Sequence, residues 1–289
     1  SGDAQSLTVN AKSDAYGVYA KTSGDVRLAL SGDLAVKSAN RKAYGVYADT
    51  GDVKFTGVRN LNVSADSSSG YDTYGYGIFA NNGSVSGDAQ SLTVTSANGG
   101  AYGIGISSDK VSTINIAKDL TVRSAAGGAG ITASGAAHQI TVGGLTDVAI
   151  ASNGGNAIYA ADGANVNLNG GVSIDITGSN AVSGIKADGG RVTVANGKTL
   201  KVTSITEALG INAINGGSVS GDAQSLTVNA ANSNAYGVNA DSGDVQLALS
   251  GDLAVKSANG RAYGVEAVNI GSSVKFTGVR NLNVSADNG

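Results

Sequence analysis

Side chains that titrate, coordinate or attack are scarce in this sequence. His138 is its one histidine. It stands in the run Ala-Ala-His-Gln with no matched serine or cysteine motif, so a nucleophilic triad lacks its partners and His138 reads as a neutral corner residue. With no cysteine in 289 residues, thiol catalysis, disulfides and the usual thiolate zinc sites are excluded together. Gly-Asp pairs recur at Asp25, Asp33, Asp52, Asp88, Asp222, Asp244 and Asp252, and calcium does bind between the turns of some β-rolls. Those rolls carry a nine-residue Gly-Gly-x-Gly-x-Asp repeat, which is missing here, whereas a corner aspartate is explained by Asx-turn hydrogen bonding. The Gly128, Gly130 and Ala133 spacing imitates a dinucleotide fingerprint, but no helix follows it. Polysaccharide lyases and hydrolases need clustered carboxylates, often with Arg, Lys or a metal, on one face. Charged residues make up only 14% of this chain and are thinly spread. The expectation is a non-enzyme with no catalytic, metal or cofactor-binding residue.

What remains is contact chemistry, and it belongs to the aromatic residues, 11 Tyr and 3 Phe with no Trp. Tyr19, Tyr47 and Phe79 fill one recurring outward slot and are expected to form an exposed ladder. Beside it, a lengthened corner from Ser67 to Tyr74 carries Tyr71, Asp72 and Tyr74. Extra loops on one face of a repeat protein often carry binding, and Tyr is an efficient interface residue. These six residues form the candidate interaction surface. A second column, Tyr16, Tyr44, Tyr76, Tyr102, Tyr236 and Tyr263, is pointed inward by strict alternation. Its replacement by Ala129, Asn156, Ser183 and Leu209 on other turns marks a partly accessible corner where a phenol oxygen reaches a partner.

These slots exist because one phrase, Ala-Tyr-Gly-Val-x-Ala, recurs along the whole chain. Its glycine slot is filled by Gly17, Gly45, Gly77, Gly103, Gly130, Ala157, Gly184, Gly210, Gly237 and Gly264, at gaps of 28, 32, 26, 27, 27, 27, 26, 27 and 27 residues. Within one period, Val18 and Ala20, then Val26, Leu28 and Leu30, then Leu34 and Val36 alternate with polar or small residues, as strands do. The connections at 22–25, 31–33 and 39–41 are rich in residues that tolerate left-handed backbone. Such a unit cannot bury its own apolar side, but stacking at about 4.8 Å pairs each strand with its equivalent on the next turn. The expected fold is all-β, a parallel β-solenoid of about 27 residues and three short strands per turn, with about 10 to 11 turns and a length of about 50 Å. The residue after the glycine is always Val or Ile, as a buried column of stacked strands favours. Two places later it is usually Ala, while the slot between drifts from Tyr19 to Glu266, as a solvent-facing position does.

The chain also repeats on a larger scale: 1–11 is identical to 220–230, and 54–66 recurs as 275–287. Whole turns are readily shuffled in a fold where each contacts only its neighbours. Residues 1–289 are expected to be a single solenoid, cut from a longer array because both ends fall in mid-pattern. A net charge of -3 gives no footprint for nucleic acid or an acidic membrane, and no stretch approaches the roughly 20 apolar residues of a membrane span. Neither nucleic acid nor direct membrane insertion is expected.

The Ala-Tyr-Gly-Val-Tyr-Ala phrase at 15–20, the Ser-Gly-Asp corners and the cysteine-free turns rich in Asn, Gly and Ser resemble repetitive passenger domains of bacterial autotransporter adhesins. The resemblance implies a right-handed parallel β-helix at the bacterial cell surface or secreted, used for adhesion, aggregation or biofilm contacts. On this reading the partners are sister rods, a glycan or a host-surface protein. The competing expectation is a carbohydrate-binding or carbohydrate-active β-helix whose exposed aromatics stack on sugar rings. An ice-binding solenoid calls for a regular outward Thr array, and Thr occupies those slots only sporadically.

Overall fold

The computed structural model describes residues 2–66, 73–135 and 138–288. They form one 28-stranded sheet wound into a parallel β-solenoid of about 10 turns. Each turn passes through three faces. Face 1 holds Ala15–Ala20 and its equivalents, face 2 Val26–Leu30, and face 3 Leu34–Ser38 before Ala43–Ala48 begins the next turn. The ladders are parallel, and their register reproduces the spacing of the glycine slots: Val18 pairs with Val46, Val46 with Ile78, Ile78 with Ile104, and so on to Val265. That column is buried until Val265 on the last face 1 strand.

Three strands per turn is the rule, with fusions. Val53–Ala65 and Val85–Ser96 run through faces 2 and 3, and Asp119–Ser134 and Asp147–Ala161 run through faces 3 and 1. In the second pair the backbone keeps its parallel partners around the bend, with a register irregularity between Ser124 and Gly127. The corner from face 1 to face 2 is built with left-handed residues, including Thr22 (φ 54°), Ser23 (φ 57°), Asp162 (φ 53°) and Asn215 (φ 53°). Small polar side chains that hydrogen-bond locally adopt this backbone more readily than bulky ones.

The interior is a continuous apolar column. Face 1 contributes Val46 and Ala48, face 2 Val53 and Phe55, and face 3 Leu61 and Val63, all buried. Burying each large aliphatic or aromatic side chain contributes about 1.5–3 kcal/mol before entropy is subtracted, and most turns repeat the set, with Gly87 and Gly221 in the face 2 slots that hold Phe55 and Leu247 on adjacent turns.

The inward orientation expected for the Tyr16 column is incorrect. In every face 1 ladder the pairing steps from the tyrosine slot to the β-branched slot and omits the glycine between them, as from Tyr16↔Tyr44 to Val18↔Val46. The glycine is thus an extra residue that shifts the alternation, like a bulge repeated in register on each turn. Ala15 and Val18 both face the core, and Tyr16 turns outward with Tyr19. Little room is left for a side chain there: a Cβ on Gly45 would lie 2.5 Å from the Gly77 carbonyl oxygen and 2.8 Å from Leu61 Cδ1, although Ala157 fits its methyl into the same slot on one turn.

Candidate functional site

The shifted alternation places two aromatic columns side by side on face 1. In the first, Tyr16, Tyr44, Tyr76 and Tyr102 stack at centroid separations of 5.0, 4.9 and 5.2 Å, with interplanar angles of 0°, 5° and 12°. In the second, Tyr19 lies 4.9 Å from Tyr47 at 3°, and Tyr47 lies 5.4 Å from Phe79 at 38°. The columns also meet laterally: Tyr16 and Tyr19 at 4.9 Å, Tyr44 and Tyr47 at 4.9 Å, Tyr76 and Phe79 at 5.0 Å. Tyr74 extends the cluster, 6.1 Å from Tyr76 and 6.4 Å from Tyr102, with Lys42 Nζ 5.9 Å from its own ring centroid.

The ladder expected from Tyr19, Tyr47 and Phe79 is therefore one half of a wider strip. Its ring faces are turned largely on one another, which leaves edges and hydroxyls to meet a partner. Tyr44, flanked on several sides, is only 8% exposed although it lies on the outer surface. The ladder ends where Tyr102 is followed by Ala129 and Phe79 by Gly105 on the next turn. Tyr71 and Asp72, the remaining members of the candidate surface, lie outside the described residues.

Packing also sets the electrostatics. Burial, and then the neighbouring phenols of Tyr76, Tyr16 and Tyr47, pushes the Tyr44 hydroxyl well above its ordinary pKa. Burial raises Tyr47 as well, helped by Asp49, whose Oδ1 accepts a hydrogen bond from Tyr47 Oη at 3.2 Å. Tyr76 is pushed up to about 12, chiefly by burial. The strip is thus a neutral surface at physiological pH, flanked on both sides by charges of both signs. Asp14 and Arg41, 3.8 Å apart, stand with Lys42 at the corner that leads into face 1, and Lys21, Asp49 and the Lys110-paired Asp52 at the corner that leaves it.

Other aromatic positions are smaller. Tyr236 and Tyr263 stack at 4.8 Å and 3° near the other end of face 1. Tyr159 has Lys186 Nζ 5.4 Å from its ring centroid, a cation–π contact.

The corner aspartates do not work as expected. Instead of closing their own turns, they bridge to the next one: Asp25 accepts the Asp52 N–H at 3.2 Å, Asp52 the Ser84 N–H at 3.0 Å, and Asp33 the Asn60 side-chain amide at 2.9 Å. Lys110 joins Asp52 at 2.7 Å and, with the Ser84 N–H, holds its carboxyl below the usual range. Among the described residues, no three His, Cys, Asp or Glu side chains are grouped to hold a metal ion. His138 is buried at a corner, its Nε2 3.1 Å from Asp109 Oδ1, and no described group partners its Nδ1.

Sequence reasoning missed a serine column where face 3 turns into face 1. Ser38, Ser96, Ser152, Ser204 and Ser257 are buried there. Ser257 Oγ donates to the Ser233 carbonyl at 2.7 Å and accepts the Gly260 N–H at 2.8 Å, and Ser38 does the same with Ser13 and Arg41. The available signal was a serine two places after the last buried aliphatic of face 3, as in Val36 and Ser38 or Val255 and Ser257. No protein-family model, no curated protein and no solved structure matches the chain, so the strip's own geometry carries the functional reading.

Proposed function

We propose that the chain is a non-enzymatic structural and adhesive rod of a bacterial cell surface, of the kind the autotransporter passenger resemblance implies, and that face 1 makes its contacts. The observation that carries this reading is the strip of seven packed rings, Tyr16, Tyr19, Tyr44, Tyr47, Tyr76, Phe79 and Tyr102, on the outside of an otherwise uniform solenoid. Aromatic side chains supply large contact area at low entropic cost and concentrate in interaction surfaces. The stacked turns beneath hold the rings rigid, so little ordering remains to oppose association.

The test is sedimentation velocity across a wide concentration range, comparing the chain with Tyr19→Ser/Tyr47→Ser/Phe79→Ser. Reversible association lost in the variant supports contact between sister rods through the strip. An elongated monomer at every concentration removes self-contact and leaves a glycan or host-surface protein as the ligand.

A carbohydrate-binding reading is supported by one feature. Tyr102 and Phe79 have no aromatic successor on the next turn, and the end of such a ladder is where a sugar ring has access to a ring face. Glycan binding abolished by Tyr102→Ser, with Tyr16→Ser retaining it, is the outcome that supports this alternative.

A further inference from the structure

We propose that the tyrosine ladder of face 1 is an oxidative cross-linking site, at which a one-electron oxidant of the peroxidase and hydrogen peroxide class joins phenols of successive turns as dityrosine. Two independent observations carry this. First, Cys, Met and Trp, the side chains that otherwise intercept oxidants, are absent from the whole sequence. Oxidising equivalents reaching this protein therefore converge on tyrosine. Second, its tyrosines are stacked phenol on phenol: Tyr16 on Tyr44 at 5.0 Å and 0°, and Tyr19 on Tyr47 at 4.9 Å and 3°. Two radicals formed in such a stack are neighbours from the outset, and the fixed register supplies the proximity that separate molecules must find by diffusion.

The chemistry balances with peroxide as oxidant. Each of two phenols loses one electron and its hydroxyl proton to become a phenoxyl radical. At Tyr47 the Asp49 carboxylate, 3.2 Å from the hydroxyl, stands ready to take that proton. The radicals join through their ortho carbons, and the two ortho hydrogens then move to oxygen and restore both phenols. The O–O bond of one peroxide breaks, and its oxygens take up the two electrons and two protons as two waters. Tyr16 and Tyr19 are partly exposed, which gives the oxidant access to the ladder's first turn. The product is a covalent tie between adjacent turns of a chain that contains no cysteine for a disulfide, closing a loop as a disulfide does.

The sequence contains its own controls. Trypsin releases 13–21, with Tyr16 and Tyr19, separately from 43–54, with Tyr44 and Tyr47. Tyr236 and Tyr263, stacked at 4.8 Å, also fall in separate peptides, 202–256 and 262–275. Tyr159 is the one tyrosine of peptide 124–186 and stacks on no other tyrosine among the described residues. The folded chain is treated with horseradish peroxidase and hydrogen peroxide, the monomer is isolated, and its tryptic peptides are read by mass spectrometry and dityrosine fluorescence. Expected are 13–21 joined to 43–54 and 202–256 joined to 262–275, each lighter by two hydrogens than its separate parts, with 124–186 unlinked. Tyr44→Phe/Tyr47→Phe keeps the rings but loses the first product and retains the second. The proposal is overturned if the monomer contains neither linked pair, if 124–186 is linked as readily, or if the urea-unfolded chain yields the same products to the same extent. Because the readout is confined to the monomer, this result is independent of whether rods associate.

Discussion

The rings of Tyr16 and Tyr19 lie 4.9 Å apart and within 15° of parallel, although strict alternation would place these residues on opposite faces of their strand. The glycine between them makes this possible. By adding one residue to each face 1 strand, Gly17 moves the phase of the alternation and turns a single aromatic column into a strip two rings wide. Because the next turn carries the same extra residue, no hydrogen-bond register is lost. Gly45→Ala is expected to destabilise the chain by about 1–3 kcal/mol through overpacking, since the new methyl would meet the Gly77 carbonyl and the Leu61 and Val63 side chains. Ala157→Gly, at the one slot that already holds a methyl, is expected to cost under about 1 kcal/mol, from chain entropy and lost packing. Urea unfolding followed by circular dichroism compares them, and equal midpoints for Gly45→Ala and the parent would contradict the close approach.

The buried β-branched column makes a sharper contrast. Ile158 stacks between Ile131 and Ile185 with no exposed surface, so Ile158→Asp places an unpaired charge in the core. The expected loss is several kcal/mol. Thr132 is in the strand of Ile131 and points out, and Thr132→Asp is expected to stay within about 0.5 kcal/mol of the parent. Thermal melts decide between them. An Ile158→Asp curve that overlays the parental one would refute the inward assignment.

These two contrasts mark what could be seen in the sequence. Turn length, strand parity after the glycine and the identity of the core column were legible, because Val18, Val46 and Ile78 recur at the same place in each repeat and alternation is a purely local rule. The side occupied by Tyr16 was not, because one residue with an added backbone step reverses parity while leaving the repeat unchanged. The aspartate bridges were hidden for another reason: a carboxylate at a corner serves a turn-closing or a turn-bridging bond equally well, and only three-dimensional stacking shows that Asp25 reaches the amide of Asp52. The fused strands reflect the same limit, since the Gly127 and Gly128 pair looks like a break in sequence yet stays paired to Gly154 and Gly155 on the next turn.

Corner serines predict a further effect. Ser257→Ala removes a donor from the Ser233 carbonyl and an acceptor from the Gly260 amide in a buried corner. Leaving such groups without partners costs about 1–3 kcal/mol. Its equivalent on the preceding turn is Ala230, so the corner can be built without the hydroxyl when its surroundings are arranged for that. Hydrogen exchange resolved by peptide should therefore show faster exchange at 257–261 in Ser257→Ala, with distant turns unchanged. Uniform acceleration along the whole rod, or none at the corner, would argue against a local tie.

Alkaline pH probes the strip directly. A phenol whose folded pKa lies above its unfolded value of 10.0 binds its proton more tightly in the folded chain, so its contribution is complete below pH 10 and is lost as pH rises through the folded pKa. Burial sets that direction for Tyr44, Tyr47 and Tyr76, and Tyr76 reaches about 12. Stability is therefore expected to hold steady with respect to these phenols up to about pH 10 and to fall between there and pH 12 as phenolates are forced out of the stack. In the variant Tyr44→Phe/Tyr76→Phe, two of the groups that drive the fall are gone while the rings remain, so the decline should be shallower. Phenolate absorbance and unfolding midpoints measured over the same pH series report the two sides of this linkage. If every phenol titrates at the ordinary value in the folded chain, the rings are solvated and the strip is not packed as described.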